Sequence, residues 1–270
     1  MYSFAKTSIG YRHLLNKKPC QDFSILYQEP NRTIITCCDG HGGDIYIRSN
    51  VGSQLASKAI INVLSEVDKS TLLSFENKDN IKLKILCEWN RLIDEHLNNN
   101  PIRQSELRKL NYDQIEIIRD NYVKAYGTTL TGAMLIDNLL IVVSIGDSEV
   151  ILVSKGKLYK PFEDNEAPVG NFTYSMCQDD AFEHMNIAIL DFDKFDGVIL
   201  CTDGLINPYQ NYQNFNHSFI KPLIKVYIEK KNNLHVEEHI DKMAYKIGNG
   251  DDVSIAFILK DQVSPYYYNY

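Results

Sequence analysis

Five aspartates stand at the ends of apolar runs. Asp39, Asp147 and Asp203 each follow one, in the turns Asp39-Gly40-His41-Gly42-Gly43, Gly146-Asp147-Ser148 and Thr202-Asp203-Gly204. Asp22 and Asp251 each precede one, in Gln21-Asp22-Phe23 and Asp251-Asp252-Val253. In an antiparallel sheet the end of one strand and the start of the next share an edge, so both sets can collect on a single rim. Like charges held close repel and raise one another's pKa. Hard divalent cations relieve that repulsion, and an all-oxygen cluster poor in histidine favours Mg²⁺ or Mn²⁺ over zinc. Two such ions bridging a hydroxide drive in-line attack at phosphorus. His41, beside Asp39, is then in place to protonate a leaving alkoxide. A single aspartate in a turn is more often a turn residue than a ligand. Five at strand ends of matching polarity weaken that reading.

The elements that must position these residues are legible in outline. Phe23–Tyr27 alternates as a half-buried strand, Gln28–Arg32 is a turn, and Thr33–Cys38 is a second strand. Paired as a hairpin, they bring Asp22 and Asp39 together. From Asp44 to Val67 the apolar period is helical, with Ile47, Val51, Leu55 and Ala59 on one stripe. Residues 71–125 read as one or two helices broken near Asn98–Pro101. Three strands follow, at Thr128–Ile136, Leu139–Ile145 and Val150–Val153, then a long irregular stretch over 161–184. Loops of that length are usually functional or disordered. Met185–Leu190, Val198–Cys201 and Val253–Leu259 complete the strands, with helical patterns near 217–230 and 235–247. Residues 3–18 are mixed, with a hairpin-like turn expected near Asn16–Pro19. The whole is an α+β pattern: two antiparallel sheets packed together and covered by helices.

At 270 residues the chain is long enough for a large core, and no repeat or Gly/Ser-rich linker divides it. Residues 1–260 therefore read as one domain and 261–270 as a tail. A net charge of −7 argues against nucleic acid and against anionic lipid. No stretch approaches the roughly 20 apolar residues that span a bilayer, and the first residues lack the basic and apolar regions of a signal peptide. The six cysteines form no CxxC pair. Cys37, Cys38 and Cys201 lie inside apolar runs, so a reducing, cytoplasmic setting is expected.

Gln21-Asp22, Asp39-Gly40-His41-Gly42-Gly43, Gly127-Thr128-Thr129, Gly146-Asp147-Ser148, Thr202-Asp203-Gly204 and Asp251-Asp252 occur in an order and spacing that resembles the protein phosphatase 2C family. Pro19-Cys20-Gln21-Asp22 and the segment 49–56 look most like a bacterial branch. The resemblance spans most of the chain except residues 71–120, which no motif matches. It implies a four-layer α/β/β/α sandwich and a metal-dependent serine/threonine phosphatase using two Mn²⁺ or Mg²⁺ ions. Carried over by position, Asp39 bridges both ions and the Gly40 carbonyl binds the second. Asp203 and Asp251 hold the first, and Asp22 acts through bound water. Asp147, with Asp203, matches a weaker third-metal position. His41 matches the general acid, and Thr128, Thr129 and Asp252 match supporting positions.

Three departures stand out. Lys17 occupies the place of an arginine that grips the substrate phosphate in many relatives, a point charge instead of a fork; Lys18 or Arg12 are the other candidates. Gln21 stands where relatives carry Glu, and Glu149 where Arg is frequent, with a local surface consequence expected. The reading is hydrolysis of phosphoserine or phosphothreonine in proteins, without a covalent intermediate, by a monomer whose partner is the phosphoprotein. The alternative is a catalytically silent relative that binds a phosphorylated partner; a phosphatase acting on a small molecule is a third. Loop 161–184 is expected to border the cleft and set selectivity.

Overall fold

Successive residues of strand β3 (Arg32–Cys38) face two different cores. Ile34 and Cys38 pack beneath helix α2 (Ser49–Ser65), whereas Ile35 and Cys37 point the other way, into an interface between sheets. Burial on both faces explains why this strand reads as a nearly unbroken apolar run. Strands β9 (Gly197–Cys201) and β10 (Val253–Leu259) repeat the arrangement. Ile199, Cys201, Ile255 and Phe257 lie under outer helices, and Val198, Leu200, Ala256 and Ile258 face the opposite sheet.

The computed structural model describes residues 1–69, 77–162, 173–230 and 233–261. The remaining strands are β1 (Tyr2–Ser8), β2 (Phe23–Glu29), β4 (Leu130–Ile136), β5 (Leu139–Ile145), β6 (Glu149–Ser154), β7 (Lys157–Tyr159) and β8 (Asn186–Asp191). They form two five-stranded sheets, β1-β10-β9-β6-β7 and β2-β3-β4-β5-β8. Each pair of neighbouring strands is antiparallel. Helices α2, α3 (Asn77–Asn99) and α4 (Tyr112–Asp120) lie outside the β3 sheet, joined to it through Ala59, Ile60, Ile85, Trp89 and Ile118. On the β10 sheet, Leu223, Ile224, Val236 and Ile240 of the helices Lys221–Lys230 and Asn233–Lys242 fill the same role. Two sheets face to face with helices outside give the α+β, four-layer sandwich expected. Among the described residues no helix is long and apolar enough to cross a membrane.

The β2–β3 hairpin forms in the expected register, with Phe23 opposite Cys38. Other expectations are corrected. Residues 3–18 are not a mixed turn: they hold β1, a full edge strand paired with β10, and a single helical turn α1 (Tyr11–Leu15). α2 starts at Ser49 rather than Asp44, because Asp44–Arg48 make tight turns in which Tyr46 N–H donates to the Gly43 carbonyl. The three-residue strand β7 was not expected, being too short to show a period. The helical pattern near 217–230 starts earlier, at Tyr212–Phe215, and runs through a π-helical turn at Asn216–Ile220. Of loop 161–184, residues 163–172 lie outside the described residues, as do 70–76 and 262–270 of the expected helical segment and tail. Residues 173–180 are irregular as expected, ending in a short helix, Ala181–His184.

The six cysteines are all free, and Cys37, Cys38, Cys177 and Cys201 are buried. Those in strands act as small core residues.

Candidate functional site

The hairpin register fixes the first two carboxylates. Asp22 immediately precedes β2 and Asp39 immediately follows β3, on the rim that the Phe23–Cys38 pair closes. Gly40 N–H donates 3.1 Å to the Gln21 carbonyl, drawing the two chains together beyond the strands. A Cβ on Gly40 would lie 2.7 Å from that carbonyl oxygen and 2.6 Å from the Ser49 carbonyl oxygen, so only glycine allows this approach. On the other side, Thr129 Oγ1 accepts from Asp39 N–H at 2.9 Å, and Thr129 N–H and Thr128 Oγ1 donate to the Asp39 carbonyl.

The second sheet supplies the remaining members. Thr202, at the end of β9, donates its hydroxyl to Asp22 Oδ2 at 2.7 Å and accepts from Ser254 N–H. That bond spans the two sheets and places Asp203, the next residue, against Asp22 and Asp39. Burial and neighbouring carboxylates push all three upward: Asp22 to about 8, Asp203 to about 6, and Asp39 well above the carboxylate range. For Asp203 the neighbours that raise it are Asp147 and Asp251, and for Asp39 they are Asp22, Asp203 and Asp147. All five expected aspartates therefore meet electrostatically on one rim. Asp147 additionally accepts from the Thr173 hydroxyl at 2.6 Å, tying the segment after loop residue 172 to the rim.

Asp252 behaves differently. Burial works to raise it, but His13 Nδ1, Gly10 N–H and Gln21 N–H, each at 2.7 Å, outweigh burial and hold it below the usual range. It fastens β1, the Gln21-Asp22 turn and β10 into one corner. His13 is a supporting residue that its sequence context does not reveal, since its partner lies 239 positions away. Gln21 is likewise more than a neutral stand-in for Glu. Its side-chain amide donates to the His41 carbonyl at 2.9 Å and to Ser49 Oγ. A carboxylate could make neither bond as donor.

His41 is held by its own N–H, which donates to the Gly127 carbonyl at 3.1 Å, and by its ring, which packs 4.9 Å from that of Tyr46. Its Nε2 is buried without a hydrogen-bond partner among the described residues. Burial lowers its pKa, with Asp147 working the other way. Lys17 is exposed in a left-handed turn (φ 54°) just past α1, and no described contact ties it to the carboxylates. Arg12 lies closer: its N–H donates to the Gly250 carbonyl, next to Asp251. Glu149, where relatives have Arg, pairs with Lys160 at 3.3 Å on the surface.

The donor set fits hard divalent cations. It is all oxygen, and among the described residues no lysine or arginine ion pair reaches any of the five aspartates. Among the described residues no three or more His, Cys, Asp and Glu side chains are grouped so as to hold a metal ion.

The sequence matches the family description of protein phosphatase 2C over residues 9–242. The chain belongs to that family. Among curated proteins none matches it significantly. Solved structures share the fold at low identity. A serine/threonine phosphatase of S. agalactiae is 18% identical, with a TM-score of 0.63, covering 96% of this chain and 100% of that one. Serine/threonine phosphatase Stp1 from Staphylococcus aureus is 14% identical, with a TM-score of 0.59, covering 97% and 96%. The catalytic domain of the serine/threonine protein phosphatase PstP, solved in complex with two manganese ions, is 17% identical, with a TM-score of 0.58, covering 95% and 96%. The sandwich of this phosphatase 2C chain is thus that of bacterial serine/threonine phosphatases, and the family is one of metal-binding protein phosphatases.

Proposed function

We propose that the chain hydrolyses phosphoserine and phosphothreonine in proteins, with Asp39, Asp203, Asp251, Asp22 and the Gly40 carbonyl holding two Mn²⁺ or Mg²⁺ ions and Asp147 contributing to a third. The observation that carries this reading is the meeting of Asp22, Asp39 and Asp203 with no basic partner among the described residues. The complex of PstP with two manganese ions supports the ion count. When bound, these ions supply a water of lowered pKa and positive charge for the phosphoryl oxygens.

The chain's own residues do the rest. Asp39, anchored through both main-chain polar groups by Thr128 and Thr129, keeps its carboxylate fixed on the rim. The Thr202 hydroxyl orients Asp22. His41 presents an Nε2 with no hydrogen-bond partner among the described residues, and a phosphate dianion arriving beside it raises its proton affinity. It then delivers that proton to the departing serine or threonine oxygen. Lys17 is the chain's counterpart of the phosphate-gripping arginine, and as a flexible ammonium it reaches the phosphate only when substrate is present.

The direct test is hydrolysis of a phosphothreonine peptide and of p-nitrophenyl phosphate with Mn²⁺, with Mg²⁺ and with chelator. Turnover of both that vanishes with chelator is expected. A folded protein that binds Mn²⁺ and phosphopeptide but turns over neither substrate would be the silent phosphoprotein-binding relative instead.

Tyr46 offers a sharper test of the acid. Gly127 carries no Cβ, and one built there would sit 2.4 Å from the Tyr46 ring and 3.0 Å from the His41 ring. The three groups form one packed unit. Tyr46→Ala is expected to lower kcat on phosphothreonine peptide about tenfold, part of the gain a positioned acid supplies. Its effect on p-nitrophenyl phosphate should be small, because p-nitrophenolate leaves without a proton. Tyr46→Phe should restore the peptide rate. Equal losses on both substrates would remove Tyr46 from the positioning of His41.

A further inference from the structure

Beside the carboxylate rim, next to Gly250–Asp252, the surface changes character. The segment Tyr11–Lys18 carries Arg12, His13, Lys17 and Lys18 and no acidic residue, in a chain of net charge −7. Among the described residues none of Arg12, Lys17 and Lys18 forms an ion pair. The same segment exposes large apolar side chains: Tyr11 is 41% exposed, Leu14 44% and Leu15 64%. Tyr245, 51% exposed, meets Tyr11 ring to ring at 5.3 Å and carries the apolar surface on toward Ile247, 58% exposed. Five of the chain's exposed large apolar residues thus lie on two short neighbouring segments, which single scattered side chains would not do.

This surface is continuous with the candidate site. Arg12 N–H donates to the Gly250 carbonyl, the Arg12 stem lies against Gly250, and Asp251 follows directly. Gly10, one residue before the segment, donates to Asp252. A polypeptide whose phosphorylated residue reached the rim would run across it.

We propose that Tyr11–Lys18 with Tyr245 and Ile247 is the docking surface for the polypeptide part of the substrate, and that it selects phosphoresidues flanked by acidic and large apolar side chains. This rests on the phosphoprotein reading above and names the substrate class that reading leaves open. Charge complementarity carries the choice of occupant. The unpaired cations of this segment complement acidic residues, and the exposed Leu and Tyr side chains give apolar flanks something to cover. Selectivity then resides beside β1 and the Met243–Ile247 turn, not only in the loop after β7.

Two phosphothreonine peptides of equal length test it, one flanked by Asp and Leu, the other by Lys and Ser. Binding is read by fluorescence anisotropy of the labelled peptides, and turnover with Mn²⁺ as kcat/KM relative to that for p-nitrophenyl phosphate. The wild-type chain is expected to favour the acidic-apolar peptide about tenfold, mainly through KM. Leu15→Asp and Lys18→Glu, both at exposed positions, should each shrink that preference, and Tyr245→Ser should do so as an independent variant. Equal handling of the two peptides, or a preference the three variants leave intact, overturns the proposal while the phosphatase reading stands. Preferential binding without turnover of any substrate sustains the docking surface and overturns the phosphatase reading. If the variants instead abolish concentration-dependent dimerisation or binding to anionic vesicles, with peptide preference unchanged, the surface belongs to a second copy or a lipid face and the proposal fails.

Discussion

Replacing Asp39 by Asn is expected to lower metal-dependent turnover at least about a thousandfold, while leaving a folded protein. The substitution keeps the shape, and it keeps the main-chain bonds to Thr128 and Thr129, which involve no side-chain atom of Asp39. It removes an ionisable group that burial and its neighbours hold well above the carboxylate range. A second measurement separates this from a general loss of structure. With chelator, Asp39→Asn should melt at a higher temperature than wild type, because folded wild type must keep Asp39 protonated, or bury its charge, above the ordinary carboxylate pKa. Burial, then Asp22 and Asp203, lift the Asp39 pKa in the folded chain, so ionising it costs stability. Its contribution is present below the ordinary carboxylate pKa and is lost as pH rises through the folded value. Metal-free wild type should therefore weaken from pH 5 to pH 8, most steeply at the acid end, the slope easing as Asp203 and then Asp22 ionise in the folded chain near about 6 and 8. Added Mn²⁺ should reverse that order, stabilising wild type by mass action and the variant much less. Urea titrations at the two pH values, with chelator and with Mn²⁺, read all four states. A variant that melts like wild type in all of them would remove Asp39 from the metal centre.

The second large effect lies away from the chemistry. Arg48→Met is expected to cost about 3 kcal/mol, the low end for a broken buried pair because Glu106 keeps some solvent contact. Arg48 Nε and Nη2 hold the Glu106 carboxylate at 2.8 and 3.1 Å, and Nη1 donates to the Asn100 carbonyl and to the Tyr126 hydroxyl, each at 2.7 Å. Its removal leaves the Asn100 carbonyl without this donor and the Glu106 carboxylate with the Arg103 main-chain N–H but no cation. The Arg48 bonds, together with hydrogen bonding from Arg103, depress Glu106 below its usual range, with burial opposing. The stabilisation is thus complete above the unfolded carboxylate pKa and is lost as pH falls through the folded one. The gap between wild type and variant should close below about pH 4. Arg48→Met with Glu106→Gln should be less destabilised than Arg48→Met alone, since no charge is left unpaired. A strictly additive double-mutant cycle by chemical denaturation would show that the pair does not act together.

What was legible in the sequence follows the range of the interactions. The β2–β3 hairpin is local, so its register and the meeting of Asp22 with Asp39 could be read from apolar alternation and a turn. The polarity of strand ends placed Asp147, Asp203 and Asp251 on the same rim. Strand β1 was missed because it is an edge strand whose only buried members are Phe4 and Ser8, and its partner lies some 250 positions on. α1 was missed because a single uncapped turn with no buried residue carries no apolar period. The start of α2 was placed too early because Ile45 and Ile47 continue the helical stripe while the chain there still turns. At the rim, what eluded sequence reading was the support around the carboxylates. His13 meets Asp252, and Gln21 meets His41 and Ser49, through contacts no spacing announces. Lys17 was placed by counting positions, and in the fold it stands in an exposed turn while Arg12 lies nearer Asp251.

The pairing of β1 with β10, Tyr2 opposite Leu259, has a consequence for how the protein comes into being. During synthesis the β2–β3 and β4–β5 hairpins can close as soon as they leave the ribosome. The first strand must wait for nearly the whole chain, on the order of ten seconds or more at ordinary translation rates. The Thr202 hydroxyl on Asp22 and the Gly10 bond to Asp252 wait with it. The nascent chain therefore carries an incomplete rim until β10 arrives and pairs with β1. The full set of carboxylates comes together only through contacts between segments far apart in sequence.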